Sequence, residues 1–301
     1  MRVEHLSGGD VAGVASLCDR ELVLDRDAGE LPAVLMRRPY VGLVVSRDSE
    51  AIGACFGSVD EAADGKREGF IDLIVVSRED QRQGIGRLLL GAMEKELAVR
   101  GCSRVKIEGH PPHYAWPGID IRYTRAICFA EDLGYRRGRC VVNMEVDLSL
   151  TSLETQADED RLRSRGIEVR RANAGDAAYL QQSVASAWTS AWAAELAAAL
   201  RNTQAGLYIA CDGPRCVAFC AYGINRVNEI GPMGTWPDVR RLGIGTALIK
   251  RCLAEQRLRG LATAEIMWAG PLSYFSQTLN ATISRAFWLY ARELGGAVRG
   301  V

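Results

Sequence analysis

Two short runs of this chain have the composition of an anion-binding loop. Gln81-Arg82-Gln83-Gly84-Ile85-Gly86 follows the apolar run Phe70 to Val76, and Arg240-Arg241-Leu242-Gly243-Ile244-Gly245 lies 159 positions further on. A strand entering Gly-x-Gly at the start of a helix turns several backbone N–H groups toward one point, beside the positive end of the helix dipole. Glycine is needed there because a Cβ would hold a phosphate away and because the turn uses conformations costly for other residues. The flanking residues exclude two other nucleotide loops. Gly86-Arg87 and Gly245-Thr246 lack the Gly-Lys-Ser/Thr of a P-loop, and Leu89 and Leu248 stand where a dinucleotide fold needs its third glycine.

The elements around the loops repeat with them. The same offset carries Gly101 onto Gly260 and Ile107 onto Ile266, so loop, helix and next strand keep one spacing in both halves. In the first half Ile85, Leu88, Leu89, Met93 and Leu97 make one apolar helical stripe that ends at Gly101. The second half repeats it with Ile244, Ala247, Leu248 and Cys252 before Gly260. Strands are expected at Arg104 to Glu108 and Thr263 to Trp268, each parallel to the strand before its helix. Residues 149–165 are polar, charged and without apolar period, which predicts a linker between domains at 1–148 and 166–301. Both halves open alike, with a short strand, a helical region and a β pair (Val41 to Ser58; Leu207 to Ile224). The longest helical stretch spans Asp176 to Asn202, with Trp188 and Trp192 on one face.

Composition narrows the partners. Lys+Arg and Asp+Glu both total 37, so no net basic field exists to hold nucleic acid or an anionic membrane, and a small or peptide-like partner is expected. The opening MRVEHLSGGD has no apolar core of a signal peptide, and no run approaches the ~18 apolar residues of a membrane span, which predicts a cytoplasmic protein. Nine cysteines without Cys-x-x-Cys pairing at Cys211, Cys216 and Cys220 are read as buried reduced thiols. His110 and His113 have no carboxylate or cysteine company, so no metal is expected. They lie in GHPPHYAWPGIDIR (109–122), where either could relay a proton, or the loop could be a rigid lid shaping a pocket.

Both runs match Arg/Gln-x-x-Gly-x-Gly/Ala, and the chain resembles the GNAT superfamily of acyltransferases over nearly its whole length. FAEDLGY (129–135) is similar to the family segment that follows the fifth strand. The resemblance implies an α/β fold, two tandem domains each with a mixed β-sheet flanked by helices. It implies that the loop amides of Gln81 to Arg87 (Gln81, Arg82, Gln83, Gly84, Ile85, Gly86, Arg87) and of Arg240 to Thr246 (Arg240, Arg241, Leu242, Gly243, Ile244, Gly245, Thr246) hold a CoA pyrophosphate. The pantetheine arm would lie along Ile74, Val75 and Val76 in the first domain and Met233, Gly234 and Thr235 in the second, where Pro232 suits a strand bulge.

The family reaction is attack of a neutral amine on an acyl thioester, which needs a base for the amine proton and gains from a proton donor to the thiolate. The family base stands eleven residues before the Arg/Gln of the motif, which is Glu229 in the second domain and Phe70 in the first. Asp72, on the same strand face as Phe70, Glu108, and His110 are the candidates there. The family's proton-donating Tyr falls on Ala130 and Phe275, with Tyr274 and Tyr123 as nearby substitutes. The implied function is transfer of an acetyl or longer acyl group from acyl-CoA, or from a carrier protein, to an amine of a small molecule or peptide. The alternatives are a non-catalytic acyl-CoA-binding module, or one catalytic and one scaffold domain. The tandem layout is shared with mycothiol synthase, but segments such as MWAGPLSYF (267–275) do not look like that enzyme, and its substrate is not assigned. Five of six tryptophans lie beyond residue 166, read either as core packing or as an apolar acceptor or long-acyl pocket.

Overall fold

The computed structural model describes residues 2–61 and 65–294 of the 301. The chain forms two compact units. One comprises residues 1–140 together with 287–301, the other residues 141–286.

In the first unit β1 (Glu4–His5), β2 (Val41–Arg47), β3 (Glu50–Glu61) and β4 (Arg67–Val76) pair antiparallel in that order, and β5 (Cys102–Ile107) joins β4 in parallel. Helices α1 (Val11–Glu21) and α2 (Leu31–Leu35) cover one face, with Val14, Leu17, Leu31 and Leu35 buried on Phe56, Leu73 and Val75. Helix α3 (Ile85–Val99) covers the other and buries Ile85, Leu89, Leu90, Met93 and Leu97. Burial is worth about 1.5–3 kcal/mol for each such side chain, enough to outweigh the ~1 kcal/mol cost of Gly91 inside the helix. Leu88, expected in the stripe, is 44% exposed, and Leu90 takes its place. The helix ends at Gly101 with φ +86, as a terminal glycine should. Strand β6 (Ile119–Asp120) and helix α4 (Thr124–Asp132) follow.

The second unit repeats this plan. Helix α5 (Gln156–Arg163) precedes β8 (Ile167–Arg171), α6 (Ala177–Ala187) and α7 (Ser190–Arg201). Then come β9 (Gly206–Asp212), β10 (Arg215–Tyr222), β11 (Glu229–Thr235), α8 (Ile244–Leu258), β12 (Thr263–Ile266) and α9 (Leu272–Leu279). Strands β8 to β11 pair antiparallel in order, and β12 joins β11 in parallel. The mixed sheet flanked by helices is therefore present twice.

Three expectations change. The helical stretch from Asp176 to Asn202 is two helices, because the Thr189 hydroxyl accepts from the Trp192 N–H at 3.1 Å and starts α7 afresh. The segment 149–165 carries α5, whose Leu162 is buried in the second unit's core. The unit boundaries fall inside two long strands, β7 (Arg136–Asp147) and β13 (Thr282–Glu293). Residues 144–147 of β7 pair with β12 of the second unit, and residues 290–293 of β13 pair with β5 of the first. Trp288 consequently belongs to the first unit, where the Arg137 guanidinium lies 4.3 Å from its ring centroid.

Candidate active site

The two glycine loops fold alike. Arg82 and Gly84 have φ of 65° and 87°, and Arg241 and Gly243 have 65° and 83°. A left-handed Arg costs about 1–2 kcal/mol, and both units hold that strain at the same place, as functional turns do. Gln81 Nε2 donates to the Val76 carbonyl, and Arg240 Nε to that of Thr235, both at 3.1 Å, so each motif's first side chain ties the loop to the end of its strand. The first N–H groups of α3 and α8 have no acceptor within their helices. A Cβ on Gly86 would meet the Phe129 ring at 3.2 Å, and one on Gly245 would meet the Tyr274 hydroxyl at 3.3 Å. The loop residues Gln81 to Arg87 thus lie at the end of the strand carrying Ile74 to Val76, and Arg240 to Thr246 at the end of that carrying Met233 to Thr235.

Beside each loop two parallel strands part. The β4–β5 ladder ends at Phe70↔Lys106, and the β11–β12 ladder at Ile230↔Ile266, leaving the following residues of β4 and β11 without a ladder partner on that side among the described residues. Each strand also carries a register shift at this point against its other neighbour, between Phe56 and Gly57 in the first unit and between Cys220 and Tyr222 in the second. Pro232 lies at that irregularity, where its missing N–H is harmless.

In the second unit Glu229 is the penultimate paired residue before the strands part. Its side chain is buried at 3% exposure, and Oε1 accepts from the Asn225 N–H at 2.7 Å. Oε2 is buried without a hydrogen-bond partner among the described residues. Burial pushes the carboxyl up to about 7, against the pull of the Asn225 N–H and the Arg226 charge. Tyr274 stands across the loop with its hydroxyl 3.4 Å from Thr246 Oγ1, and burial raises its phenol above the ordinary value, so it remains a proton donor at neutral pH. Phe275, the position expected from the family pattern, is buried in the core, as is Ala130 in the first unit. Tyr123 accepts from the Leu24 N–H at 3.2 Å, which engages it outside the loop.

The first unit differs. Phe129, without a hydroxyl, occupies the place against Gly86 that Tyr274 takes against Gly245. Asp72 is the extra residue of the β4 bulge and is held in a buried ion pair with Arg38 Nη2. Arg38 Nη1 donates to the His110 carbonyl at 2.6 Å. Burial lifts Asp72 to about 6, opposed by the Arg38 charge and a hydrogen bond from Ser58. The His110 ring stacks on Phe70 at 4.1 Å and places Nδ1 2.8 Å from Ser58 Oγ. Burial, with the Arg38 and Lys106 charges, pushes His110 down to about 3, which makes it a weak proton acceptor at neutral pH. Glu108 lies apart, in an ion pair with Lys106 at 3.4 Å. Asp72 and His110 therefore come together, but with Arg38 and Ser58, which no local sequence pattern singles out. Removing one partner leaves a buried charge unpaired, so Arg38→Met and Asp72→Leu are each expected to cost about 3–5 kcal/mol in denaturant unfolding, and the double variant far less than their sum.

The tryptophans of the second unit gather on Phe219. Trp188, Trp192 and Trp236 surround it with centroid distances of 5.2, 6.1 and 5.9 Å. A Cβ on Gly234 would lie 2.9 Å from the Trp188 ring, so β11 is already covered by this cluster. Among the described residues no group of three or more His, Cys, Asp or Glu is placed to hold a metal ion, and no helix is long and apolar enough to cross a membrane. Of the nine free cysteines seven are buried, whereas Cys128 and Cys140 are exposed.

Two mixed sheets, each with strands that part beside a Gly-x-Gly helix start, define an acetyltransferase fold. The model of the Acetyltransferase (GNAT) family matches residues 10–115 and 174–271, and the chain belongs to that family. Among characterised proteins it is similar to the mycothiol acetyltransferase of Geodermatophilus obscurus, 28% identical over 284 residues, covering 86% of this chain and 85% of that one. The fold is shared with a tandem GNAT protein from the clavulanic acid biosynthesis pathway (TM-score 0.71, 15% identity, 98% of this chain and 99% of that one). It is also shared with the glucosamine N-acetyltransferase region of a fungal multi-domain β-N-acetylglucosaminidase (TM-score 0.79, 17% identity, 97% of this chain), of which the present chain spans 38%.

Proposed function

We propose that the second unit transfers an acetyl group from acetyl-CoA to a primary amine, with Glu229 as base and Tyr274 as proton donor. The observation that carries this reading is the Glu229 carboxylate, buried beside the point where β11 and β12 part, with no donor to Oε2 among the described residues and the group raised to about 7. Such a carboxylate takes a proton near neutral pH more readily than a solvated one. The Gly243 loop and the unpaired edge of β11 would hold the donor, the N–H groups of that edge facing the developing oxyanion. Tyr274, whose hydroxyl lies 3.4 Å from that of Thr246 at the start of α8, would supply the proton to the departing thiolate. The first unit keeps the loop, while Phe70 and Phe129 replace the two groups, so it serves as a donor-binding scaffold. Trp188 already fills the space over Gly234, which favours a short acyl group. The likeness to a mycothiol acetyltransferase makes the acceptor of that enzyme the first amine to try, and the site is expected to act in the cytoplasm.

Free-thiol release from acetyl-CoA with a panel of amines tests this. The expected result is amine-dependent turnover that falls at least ~10-fold in Gly243→Val, because a β-branched residue at positive φ strains the loop and screens its N–H groups. Tight acetyl-CoA binding with no turnover on any amine would instead identify a binding module.

A further inference from the structure

Gln256 is fully buried on α8, on the helix face that otherwise carries Ile249, Cys252 and Leu253. Its Nε2 donates to the carbonyls of Val227 and Glu229, both at 3.0 Å, while its Oε1 is buried with no hydrogen-bond partner among the described residues. An unsatisfied buried acceptor costs about 1–3 kcal/mol, and an apolar side chain would avoid that cost. The first unit shows that one fits. At the position 159 residues earlier stands Leu97, fully buried against Gly69. The two units therefore differ together at two places. Where the strand carries Phe70 the helix carries Leu97, and where the strand carries Glu229 the helix carries Gln256.

The two bonds act on the segment that shapes the carboxylate. The Glu229 N–H donates to the Arg226 carbonyl at 3.1 Å, and its own carbonyl accepts from the Gly223 N–H at 3.0 Å as well as from Gln256. The turn 223–228 is thereby folded back over the start of β11, and its Asn225 N–H reaches Glu229 Oε1. Without Gln256, the Val227 carbonyl would lose this donor and the Glu229 carbonyl one of its two. Arg226 in the same turn is the charged group that acts on this carboxylate, and Glu265, its register partner on β12, accepts from Asn143 Nδ2 at 3.0 Å. Glu255, the neighbour of Gln256 on α8, is taken by the Tyr208 and Tyr222 hydroxyls.

We propose that Gln256 is a positioning residue for acyl transfer, which pins the backbone at Val227 and Glu229 so that the Glu229 carboxylate stays dry and oriented beside the parted strands. The proposal rests on Glu229 being the base. It is tested by kcat/KM against pH for the wild type, Gln256→Met, Gln256→Leu, Glu229→Gln and the Glu229→Gln/Gln256→Met double variant, with CoA affinity and thermal unfolding as controls of folding. Gln256→Leu supplies the side chain that the first unit already accommodates. The single Gln256 variants are expected to keep CoA affinity and lose on the order of 10–100-fold in kcat/KM, as small misplacements of reacting groups do. Their acidic limb moves to lower pH as water reaches Glu229. Gln256→His, which keeps one donor, restores part of the rate. In the Glu229→Gln background the second substitution adds no further loss. A double variant slowed by the product of the two single factors, or single variants with unchanged rate and limb, overturns the positioning role. If Glu229→Gln alone keeps the wild-type rate and limb, the base assignment itself fails and this proposal falls with it.

Discussion

Glu229→Gln lowers kcat/KM for amine acetylation about 10²–10⁴-fold and leaves acetyl-CoA affinity in place. The substitution keeps the side chain's shape and removes only its capacity to take a proton. Wild-type kcat/KM rises with pH up to about 7, where the buried carboxyl ionises, and then levels; the Gln variant lacks this limb. Thiol release measured from about pH 5.5 to 9 gives both curves. Stability carries the same signature with a definite sign. The folded value of about 7 lies above the ordinary 4.5, so the folded chain binds more protons in between. This part of its stability is full below the unfolded value and is lost as pH rises through the folded one. The Gln variant does not share that loss, so its Tm relative to wild type increases from about pH 5 to 8.

Ending the chain at Ala286 unfolds the first unit and spares the second. The removed residues include Phe287, Leu289 and Tyr290, all buried in the first unit. Burial of three such side chains is worth about 1.5–3 kcal/mol each, a total comparable to the 5–15 kcal/mol by which a domain is stable. Two polar anchors go with them. The Tyr290 hydroxyl donates to Glu131 at 2.9 Å, and Arg292 Nη1 donates to Glu94 at 3.0 Å, a carboxylate that also accepts from the Tyr135 hydroxyl. Hydrogen exchange is the measurement. Amides of β5 and α3 are expected to lose protection while those of β9 to β11 keep theirs; uniform protection across both would count against the argument.

What could be read in the sequence was what is coded locally. The glycine loops, the strand before each and the helix after each follow from residues within about thirty positions of one another, and the matched spacing of the two copies supplied an internal control. The break between α6 and α7 was hidden because alanine-rich stretches on both sides suit a helix; Thr189 was the signal, as a residue that caps better than it continues. Tyr274 was set beside the family position, although only folding shows its hydroxyl against Gly245 while Phe275 goes to the core. Arg38 and Ser58 carry no spacing that ties them to Asp72, because a buried ion pair between a loop and a bulge depends on tertiary approach alone. Gln256 could have been found by comparing the copies residue by residue, since a Gln aligned with Leu97 in an apolar stripe is a departure that burial must accommodate. The unit boundaries left no such trace, because each falls inside one continuous strand, β7 or β13, with no loop or linker composition to mark it.

The pairing of β5 with β13 sets an order of events during synthesis. Residues 104–107 meet partners roughly 180 positions later in the chain. At about 5–20 residues per second, a ribosome takes on the order of ten to forty seconds to supply them. Over that interval the first unit presents one side of β5 with unsatisfied N–H and C=O groups, a surface other chains can join. The second unit has its own sixth strand, residues 144–147, before any of its remaining residues are made. The later half of the polypeptide is therefore the one that can close without waiting, and the nascent first half is where a cell's chaperones would be needed.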